Sequence, residues 1–114
     1  MRVSLVSLGT DNTPISPFNP IWQTIARTSF HTKERVAPKQ SLTRDDALRC
    51  ATNHGAYLTF DEDKKGALQT GKLADLAVLS DDPLTVEESR IQNITALMTM
   101  VGGKIVHEAA NWID

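Results

Sequence analysis

Ala96-Leu-Met-Thr-Met-Val-Gly-Gly-Lys-Ile-Val-His107 is the stretch that decides the fold class of this chain. Its two short apolar runs flank Gly102 and Gly103, which can both adopt positive φ angles, so the pattern predicts a β-hairpin with a two-residue turn. Leu73–Leu79 is a further apolar run, which Asp81-Asp82-Pro83 ends, and its length and apolarity predict another strand. The C-terminal part of the chain is therefore predicted to contain a small β-sheet.

Helical patterns lie between this region and the N-terminus. Asn19-Pro20 favours a helix start with Asn19 as N-cap, and this helix is expected to run to about Thr28. Thr43-Arg-Asp-Asp46 resembles a capping box and predicts the start of one longer helix. The apolar face of the first helix is expected to be Ile21, Trp22 and Ile25, and that of the second Leu48, Ala51, Gly55 and Leu58.

The remaining segments complete the predicted order of elements. The apolar run Val3–Leu8 is typical of a buried strand of a parallel sheet, and the turn residues Gly9-Thr10-Asp11-Asn12 follow it. Residues 29–40 are polar and predict a surface loop, and Thr85-x-x-Glu88 predicts a short helical turn that ends near Ile91. The elements then follow the order β-α-α-β-(α)-β-β, and the fold class predicted for the isolated chain is α+β.

Length and composition exclude several classes of protein. The chain has 114 residues and a net charge of −2, which suits one soluble domain and provides no electrostatic footprint for nucleic acid or an anionic membrane. It contains no apolar stretch near the ~20 residues of a membrane span, and its N-terminus lacks the pattern of a signal peptide. A single cysteine, Cys50, cannot form an internal disulfide. We therefore expect a reducing, cytoplasmic location, with no nucleic-acid or membrane partner.

Asp11 is the residue that the pattern singles out for chemistry. It closely follows the predicted parallel strand, at the end where α/β sheets and barrels place catalytic side chains. A carboxylate there could ligate a metal ion or act as a base toward metal-bound water. The alternative is that Asp11 and Asn12 only form a turn, a common role of these residue types.

Three other patterns carry weaker signals. Cys50 and His54 are one helical turn apart and could provide half of a zinc site, but a structural site needs four ligands, so a buried core cysteine is favoured. Asp61-x-Asp63-x-Lys65 begins like a calcium loop, yet lysine stands where an oxygen ligand is required. Val101-Gly-Gly-Lys104 lacks the spacing of a phosphate-binding loop. The residues expected to serve only in packing are Trp22, Tyr57 and Trp112.

Several stretches together resemble a known family. They are Gly9–Asp11 with Asn19-Pro20, Leu42–Arg49 with Ala51–Tyr57, Lys65–Leu68 with Gly71–Leu79 and Asp82–Thr85, and Met98–Val106. The chain resembles the C-terminal end of the metal-dependent amidohydrolase superfamily, and most closely its amidohydrolase 3 group of formamide-deformylase-like and N-acyl-amide hydrolases. The resemblance runs from about residue 3 to residue 108, and the pieces from Lys65 onward are specific in combination.

The resemblance implies a (β/α)8 TIM barrel with one or two divalent metal ions, zinc being expected, and a small composite β-sandwich built from both ends of the chain. Residues 1–60 would be the last strand and helices of the barrel, and residues 61–114 would be the C-terminal segment of the sandwich. Asp11 matches the family's aspartate, which ligates metal and moves the proton between the attacking water and the leaving nitrogen. The implied reaction is hydrolysis of a non-peptide amide or formamide C–N bond in a small-molecule substrate.

The chain also departs from the family's pattern. It contains no His-x-His, and none of its three histidines occupies a ligand position of the family. Since a zinc site needs at least three protein ligands and a complete barrel needs about 250 residues, we expect an inactive fragment that holds no metal by itself. We also expect a homo-oligomer that forms through the exposed barrel face of residues 1–28. The alternative hypothesis is a non-catalytic interaction or oligomerisation module derived from this fold.

Overall fold

The predicted β-hairpin is confirmed in the structure, a computed structural model that describes residues 5–11 and 15–113. Strands β2 (Ala96–Val101) and β3 (Lys104–Glu108) pair antiparallel. Gly102 and Gly103 join them with φ angles of 56° and 79°, which glycine reaches without steric cost from a Cβ atom. The start of the predicted strand Val3–Leu8, and Asn12 of the turn after it, lie outside the described residues.

Strand β1 (Leu76–Leu79) completes a three-stranded antiparallel sheet in the order β1-β2-β3, where we number strands in chain order. The strand is shorter than predicted, since it begins at Leu76 and not at Leu73. The reason is that the residues before it bind the hairpin turn instead of extending the ladder. The Ala74 carbonyl accepts a hydrogen bond from the Gly103 N–H at 3.1 Å.

Helix α1 (Phe18–Ala26) buries the face predicted for it, formed by Ile21, Trp22 and Ile25. The predicted N-cap role of Asn19 is wrong, because Asn19 lies inside the helix. Ser16 acts at the helix start, where its Oγ accepts a hydrogen bond from the Phe18 N–H at 3.3 Å. The helix ends before the predicted Thr28, because Arg27 adopts a left-handed φ of 51°.

The helix predicted after Thr43 is divided into α2 (Arg44–Ala51) and α3 (Asn53–Leu58). The predicted cap is confirmed, since Thr43 Oγ1 accepts a hydrogen bond from the Asp46 N–H at 3.1 Å. Such a bond satisfies one of the N–H groups that a helix start leaves unpaired. Thr52 interrupts the helix with φ −125° and ψ −91°.

This interruption changes which side chains the two helices bury. The Thr52 hydroxyl donates a hydrogen bond to the Leu48 carbonyl at 2.8 Å, and a bond of this kind to the preceding turn bends a helix. The predicted apolar face is wrong at Ala51, which is exposed, and at Leu58, which is 68 % exposed, while Leu48 and Gly55 are half-buried. The residues that α2 and α3 bury are Ala47, Cys50 and Ala56.

The hydrophobic core lies between α1 and a 3₁₀ helix at Glu88–Asn93. Ile91 of that helix is fully buried, and full burial of a side chain of this size contributes about 1.5–3 kcal/mol. The core therefore joins residues on both sides of the predicted domain boundary between residues 60 and 61, and that boundary stays a prediction. Its members are Phe18, Ile21, Trp22, Ile25, Ala26, Ala47, Ile91 and Ile94.

The turn before this 3₁₀ helix is organised by Asp82 and not by Thr85. Asp82 Oδ2 accepts a hydrogen bond from the Thr85 hydroxyl at 3.0 Å. The predicted cap role of Thr85 is wrong, because the helix begins only at Glu88 and has no side-chain cap. Arg44 of α2 donates a hydrogen bond to the Pro83 carbonyl at 2.9 Å, which holds this turn against the helix.

The described part of the N-terminal apolar run is not the buried parallel strand that was predicted. Residues 5–8 form no strand, and the three strands of the described chain all belong to the C-terminal sheet. Leu5 and Val6 are 57 % and 52 % exposed. With no strand of the described chain beside it, this segment binds α2 instead, where the Leu8 N–H donates to the Cys50 carbonyl at 3.2 Å.

The loop after α1 agrees with its prediction. Residues 30–40 are exposed and contain a short 3₁₀ helix at Pro38–Gln40. An isolated β-bridge between Thr28 and Arg35 closes the first part of the loop. Throughout residues 5–11 and 15–113, the helices are all too short or too polar to cross a membrane.

Candidate functional site

Asp11, the predicted catalytic and metal-binding residue, lies on the surface after segment 5–8. Its side chain is exposed, and its backbone has a left-handed φ of 49°. Aspartate is one of the residue types that adopt this conformation in turns, so the turn role weighed for Asp11 fits its backbone. An exposed carboxylate is also accessible to a reacting group, and the catalytic and metal-binding roles of Asp11 stay predictions.

The ligand set of a metal centre is not formed by the described residues. A catalytic zinc site has three protein ligands besides water or substrate. Within residues 5–11 and 15–113, no group of three or more His, Cys, Asp and Glu side chains lies close enough to hold a metal ion. These residues therefore do not fit the metal that the resemblance implies. A ligand set that includes Asp11 would need side chains from elsewhere.

Cys50 is part of the buried interior, and His54 contacts segment 5–8. Cys50 is 4 % exposed, and burial raises the pKa of its thiol, with the negative charge of Asp46 raising the pKa further. His54 Nδ1 lies 3.0 Å from the Val6 carbonyl, to which it donates in the Nδ1–H tautomer. The favoured interpretation, a buried core cysteine, is confirmed.

The loop that follows α3 contains an ion pair and a lysine–carbonyl hydrogen bond where a calcium loop would have ligands. Asp61 Oδ2 lies 2.9 Å from Lys65 Nζ. The hydrogen bond from Lys65, and a second one from Thr59, lower the pKa of Asp61 below its ordinary value. Lys72 Nζ donates a hydrogen bond to the Glu62 carbonyl. The lysines thus occupy oxygen atoms that a cation would need, which agrees with the rejection of a calcium site.

Gly66, within the Lys65–Leu68 motif, packs this loop against α3. Its φ is 91°, and a Cβ atom there would lie 2.7 Å from Ala56 Cβ and 3.1 Å from Asn53 Cα. Carbon atoms in favourable contact are about 3.5–4.0 Å apart. A residue without a side chain is therefore required at this position, and the role of the motif is structural.

Asp75 has a role that the sequence patterns did not reveal. Its Oδ1 accepts a hydrogen bond from the Gly102 N–H at 2.7 Å. This bond joins the Gly71–Leu79 motif to the hairpin motif, so the two pieces of the resemblance depend on each other. An aspartate directly before an apolar strand is a signal that could have found it, because aspartate often accepts hydrogen bonds from backbone N–H groups of turns.

A surface depression of about 290 Å³ lies beside the C-terminal end of α1. Arg27 lines it, and its guanidinium donates hydrogen bonds to the Val36 carbonyl at 3.3 Å and to Gln40 Oε1 at 3.2 Å. The charged group is therefore engaged within the chain. The depression does not include Asp11; it is lined by Pro20, Gln23, Thr24, Arg27, Thr28, Ser29 and Val36.

Comparisons with known proteins point to amidohydrolases. The sequence profile of the Amidohydrolase family, amidohydrolase 3 group, matches residues 4–107. The chain is 29 % identical over 106 residues to an N-substituted formamide deformylase of Arthrobacter pascens, a match that covers 90 % of this chain and 19 % of that protein. It is also 27 % identical over 109 residues to YtcJ of Bacillus subtilis strain 168, a protein named as an amidohydrolase. This match covers 91 % of this chain and 21 % of YtcJ.

A solved structure is also similar to this chain. The crystal structure of an amidohydrolase from Thermotoga maritima MSB8 superimposes with a TM-score of 0.63 at 20 % identity, covering 91 % of this chain and 23 % of that chain. At this identity the likeness concerns the fold alone. The chain spans about a fifth of the length of the curated relatives that it matches.

Proposed function

This chain belongs to the amidohydrolase family, and we propose that it is the C-terminal portion of a metal-dependent amidohydrolase that hydrolyses a non-peptide C–N bond. The observation that carries the proposal is the family match over residues 4–107, together with the chain's span of about a fifth of its relatives. The formamide class of substrate is favoured because one relative is named as an N-substituted formamide deformylase. In the TIM barrel and composite sandwich that we propose for the complete enzyme, the sheet of this chain serves as scaffold.

Asp11 is the residue through which the chain would take part in the reaction. Hydrolysis of an amide needs a group that takes a proton from the attacking water and returns it to the departing nitrogen. The exposed carboxylate of Asp11 can hold and release that proton. We propose that the groups that activate the carbonyl carbon belong to the rest of the enzyme, and we expect the chain alone to be inactive.

The second candidate is a non-catalytic interaction or oligomerisation module. It is favoured by the exposed apolar side chains at the N-terminal end, where Leu5, Val6 and Ile15 are 57 %, 52 % and 82 % exposed. Exposed apolar surface promotes association. A module of this kind would bind a partner without any hydrolysis.

Reconstitution with a truncated relative tests the proposal. The intact 114-residue chain would be mixed with the Arthrobacter pascens deformylase polypeptide lacking the segment that matches this chain, with zinc supplied. Hydrolysis of an N-substituted formamide is measured for each protein alone and for the mixture. We expect turnover only in the mixture, and Asp11→Asn should lower it at least about 100-fold, in the range found for a general acid–base group.

Two controls make this experiment decisive. Asp63→Asn changes another exposed carboxylate and should leave turnover unchanged. Turnover by the chain alone would contradict the proposal of an incomplete enzyme, and full turnover by the Asp11→Asn variant would remove Asp11 from the reaction. Binding without turnover would instead favour the interaction module.

A further inference from the structure

Apolar side chains are exposed both on segment 5–8 and at the C-terminal end of α3. The side chains of Leu5, Val6, Leu58 and Phe60 are 57 %, 52 %, 68 % and 90 % exposed, and we refer to these four side chains as the α3 face. Single exposed apolar residues are ordinary on a protein surface, whereas an apolar cluster marks an interaction surface. The course of segment 5–8 relative to α3 therefore decides which of these residues lie near one another.

Two contacts show how segment 5–8 runs along the helices. The Leu8 N–H donates to the Cys50 carbonyl at 3.2 Å, and the Val6 carbonyl lies 3.0 Å from His54 Nδ1. Moving from Leu8 to Val6 thus moves along the helices toward the C-terminal end of α3. Leu58 is one turn beyond His54 and lies on the same side of α3. Segment 5–8 therefore runs beside α2 and α3, in the direction of the end of α3 that carries Leu58.

Phe60 follows α3 in a backbone conformation that is unfavourable for a bulky side chain. Its φ is 59°, in the left-handed region that a bulky side chain disfavours and that glycine or asparagine would suit better. Backbone bonds hold the turn, since the Phe60 N–H donates to the Tyr57 carbonyl at 3.1 Å and the Asp61 N–H to the Ala56 carbonyl at 2.9 Å. The ring is nevertheless 90 % exposed to solvent. A contact outside this chain would account for an aromatic residue here.

We propose that the α3 face is the surface on which the rest of the amidohydrolase polypeptide docks, with Leu58 and Phe60 as its apolar anchors. This inference rests on the proposed function. The occupant follows from length, because the matched relatives are about five times as long as the segment that they share with this chain. Most of the polypeptide of such a hydrolase therefore lies outside the matched segment and is available to cover an exposed apolar surface.

Exposed apolar side chains on β3 are less suited to docking. Ile105 and Val106 are 55 % and 62 % exposed, but Lys104 and Glu108 stand at the two ends of the strand. The pairing with β2 also shifts register along this strand. Charged residues and such irregularities are the features by which edge strands avoid pairing. This surface therefore provides the matched control.

The test measures binding of the intact chain to the Arthrobacter pascens deformylase polypeptide that lacks the matching segment. The test variant is Leu58→Ser/Phe60→Asn, in which asparagine suits the left-handed backbone and keeps the turn. The control variant is Ile105→Ser/Val106→Ser, which removes two comparably exposed side chains from β3. Urea unfolding of each variant checks that it is folded.

We expect the wild-type chain and the β3 variant to bind equally, and the α3-face variant to bind at least about tenfold more weakly, as for the loss of apolar anchors. The proposal is overturned if the wild-type chain does not bind, or if the α3-face variant binds like the wild type. It is also overturned if the chain forms a dimer through this face that the deformylase polypeptide does not dissociate, because the occupant is then a second copy.

The two proposals can fail separately. Binding that depends on the α3 face without any formamide hydrolysis contradicts the proposed function and retains the docking surface. Hydrolysis in the mixture that is insensitive to Leu58→Ser/Phe60→Asn, with binding unchanged, retains the proposed function and removes the docking surface.

Discussion

The carboxylate of Asp75 accepts a hydrogen bond from the backbone N–H of Gly102 at 2.7 Å, so the residue directly before β1 holds the turn that joins β2 to β3. The neighbouring Ala74 carbonyl accepts from the Gly103 N–H at 3.1 Å. Both turn glycines are therefore hydrogen-bonded to the two residues that directly precede β1. The two most specific pieces of the family resemblance meet at this point and have a structural role.

Replacing Asp75 should weaken the sheet. Asp75→Ala removes the acceptor for the Gly102 N–H, and we expect the free energy of unfolding to fall by about 1–2 kcal/mol. Asp75→Asn retains an acceptor oxygen and should cost less. Urea unfolding followed by circular dichroism measures both. Asp63→Ala, which changes an exposed aspartate in another loop, is the control, and an equal loss there would contradict a specific role for Asp75.

Gly66 and Gly71 form a matched pair for separating steric contact from backbone strain. Their φ angles are 91° and 92°. A Cβ atom at Gly66 would lie 2.7 Å from Ala56 Cβ, whereas a Cβ atom at Gly71 would have no other atom within 4 Å. Both alanine variants carry the cost of a left-handed backbone, roughly 1–2 kcal/mol. We expect Gly66→Ala to destabilise the chain by at least ~1 kcal/mol more than Gly71→Ala, as overpacking does.

The double variant Gly66→Ala/Ala56→Gly provides an internal check of this contact. Removing the Ala56 methyl group should recover part of the excess loss, as measured by the urea midpoint. Equal destabilisation by the two single glycine variants would show that α3 does not restrict residue 66.

Ile91 should couple the N-terminal helices to the C-terminal segment. It is fully buried in the core that α1 shares with the 3₁₀ helix, and Ile91→Ala is expected to cost about 2–5 kcal/mol. Ile105→Ala, at a site 55 % exposed, should stay within about 0.5 kcal/mol of the wild type. Tryptophan fluorescence and circular dichroism should report one shared transition. Two separated transitions would instead support independent segments on either side of residue 60.

Cys50 should make stability depend on pH in the alkaline range. Burial raises the pKa of its thiol in the folded chain, so the folded state retains the proton more strongly than the unfolded state does. This contribution is complete below the ordinary thiol pKa of about 8.5 and is lost as the pH rises through the raised value.

Comparison with Cys50→Ala isolates that contribution, because other groups titrate in both proteins. The difference in unfolding free energy between wild type and Cys50→Ala, measured in urea from pH 7 to pH 10, should become less favourable to the wild type above about pH 8.5. A pH-independent difference would contradict the shift. Thiol alkylation of the native chain should also be slow, since the side chain is 4 % exposed.

The parts of this protein that the sequence predicted well are those set by residues close together in the chain. Gly102-Gly103 predicted the hairpin because few other residue pairs allow two successive positive φ angles. The spacing of Ile21, Trp22 and Ile25 predicted the buried face of α1, since side chains three and four residues apart share a helix face. The motifs between Lys65 and Val106 indicated the amidohydrolase family, which the family match confirms.

The candidate site was predictable only in part. The sequence singled out Asp11, whose exposed, left-handed position fits a turn and whose role in catalysis stays a prediction. The rejection of Cys50 and His54 as metal ligands followed from counting ligands, and the buried thiol agrees with it. An aspartate directly before a strand suggests that it accepts a backbone hydrogen bond, but the local sequence does not identify Gly102, many residues later, as the donor.

The sequence by itself thus determined the hairpin, the buried face of α1, the cap at Thr43 and the family, because turn angles, helix periodicity and motifs are local properties of the chain. Only the tertiary structure decided that residues 5–8 form no strand, that Leu58 and Phe60 are exposed, and that Ile91 joins α1 to the C-terminal segment. The physical reason is that burial and strand pairing depend on partners distant in sequence. An apolar run such as residues 5–8 becomes a buried strand only where another strand lies beside it.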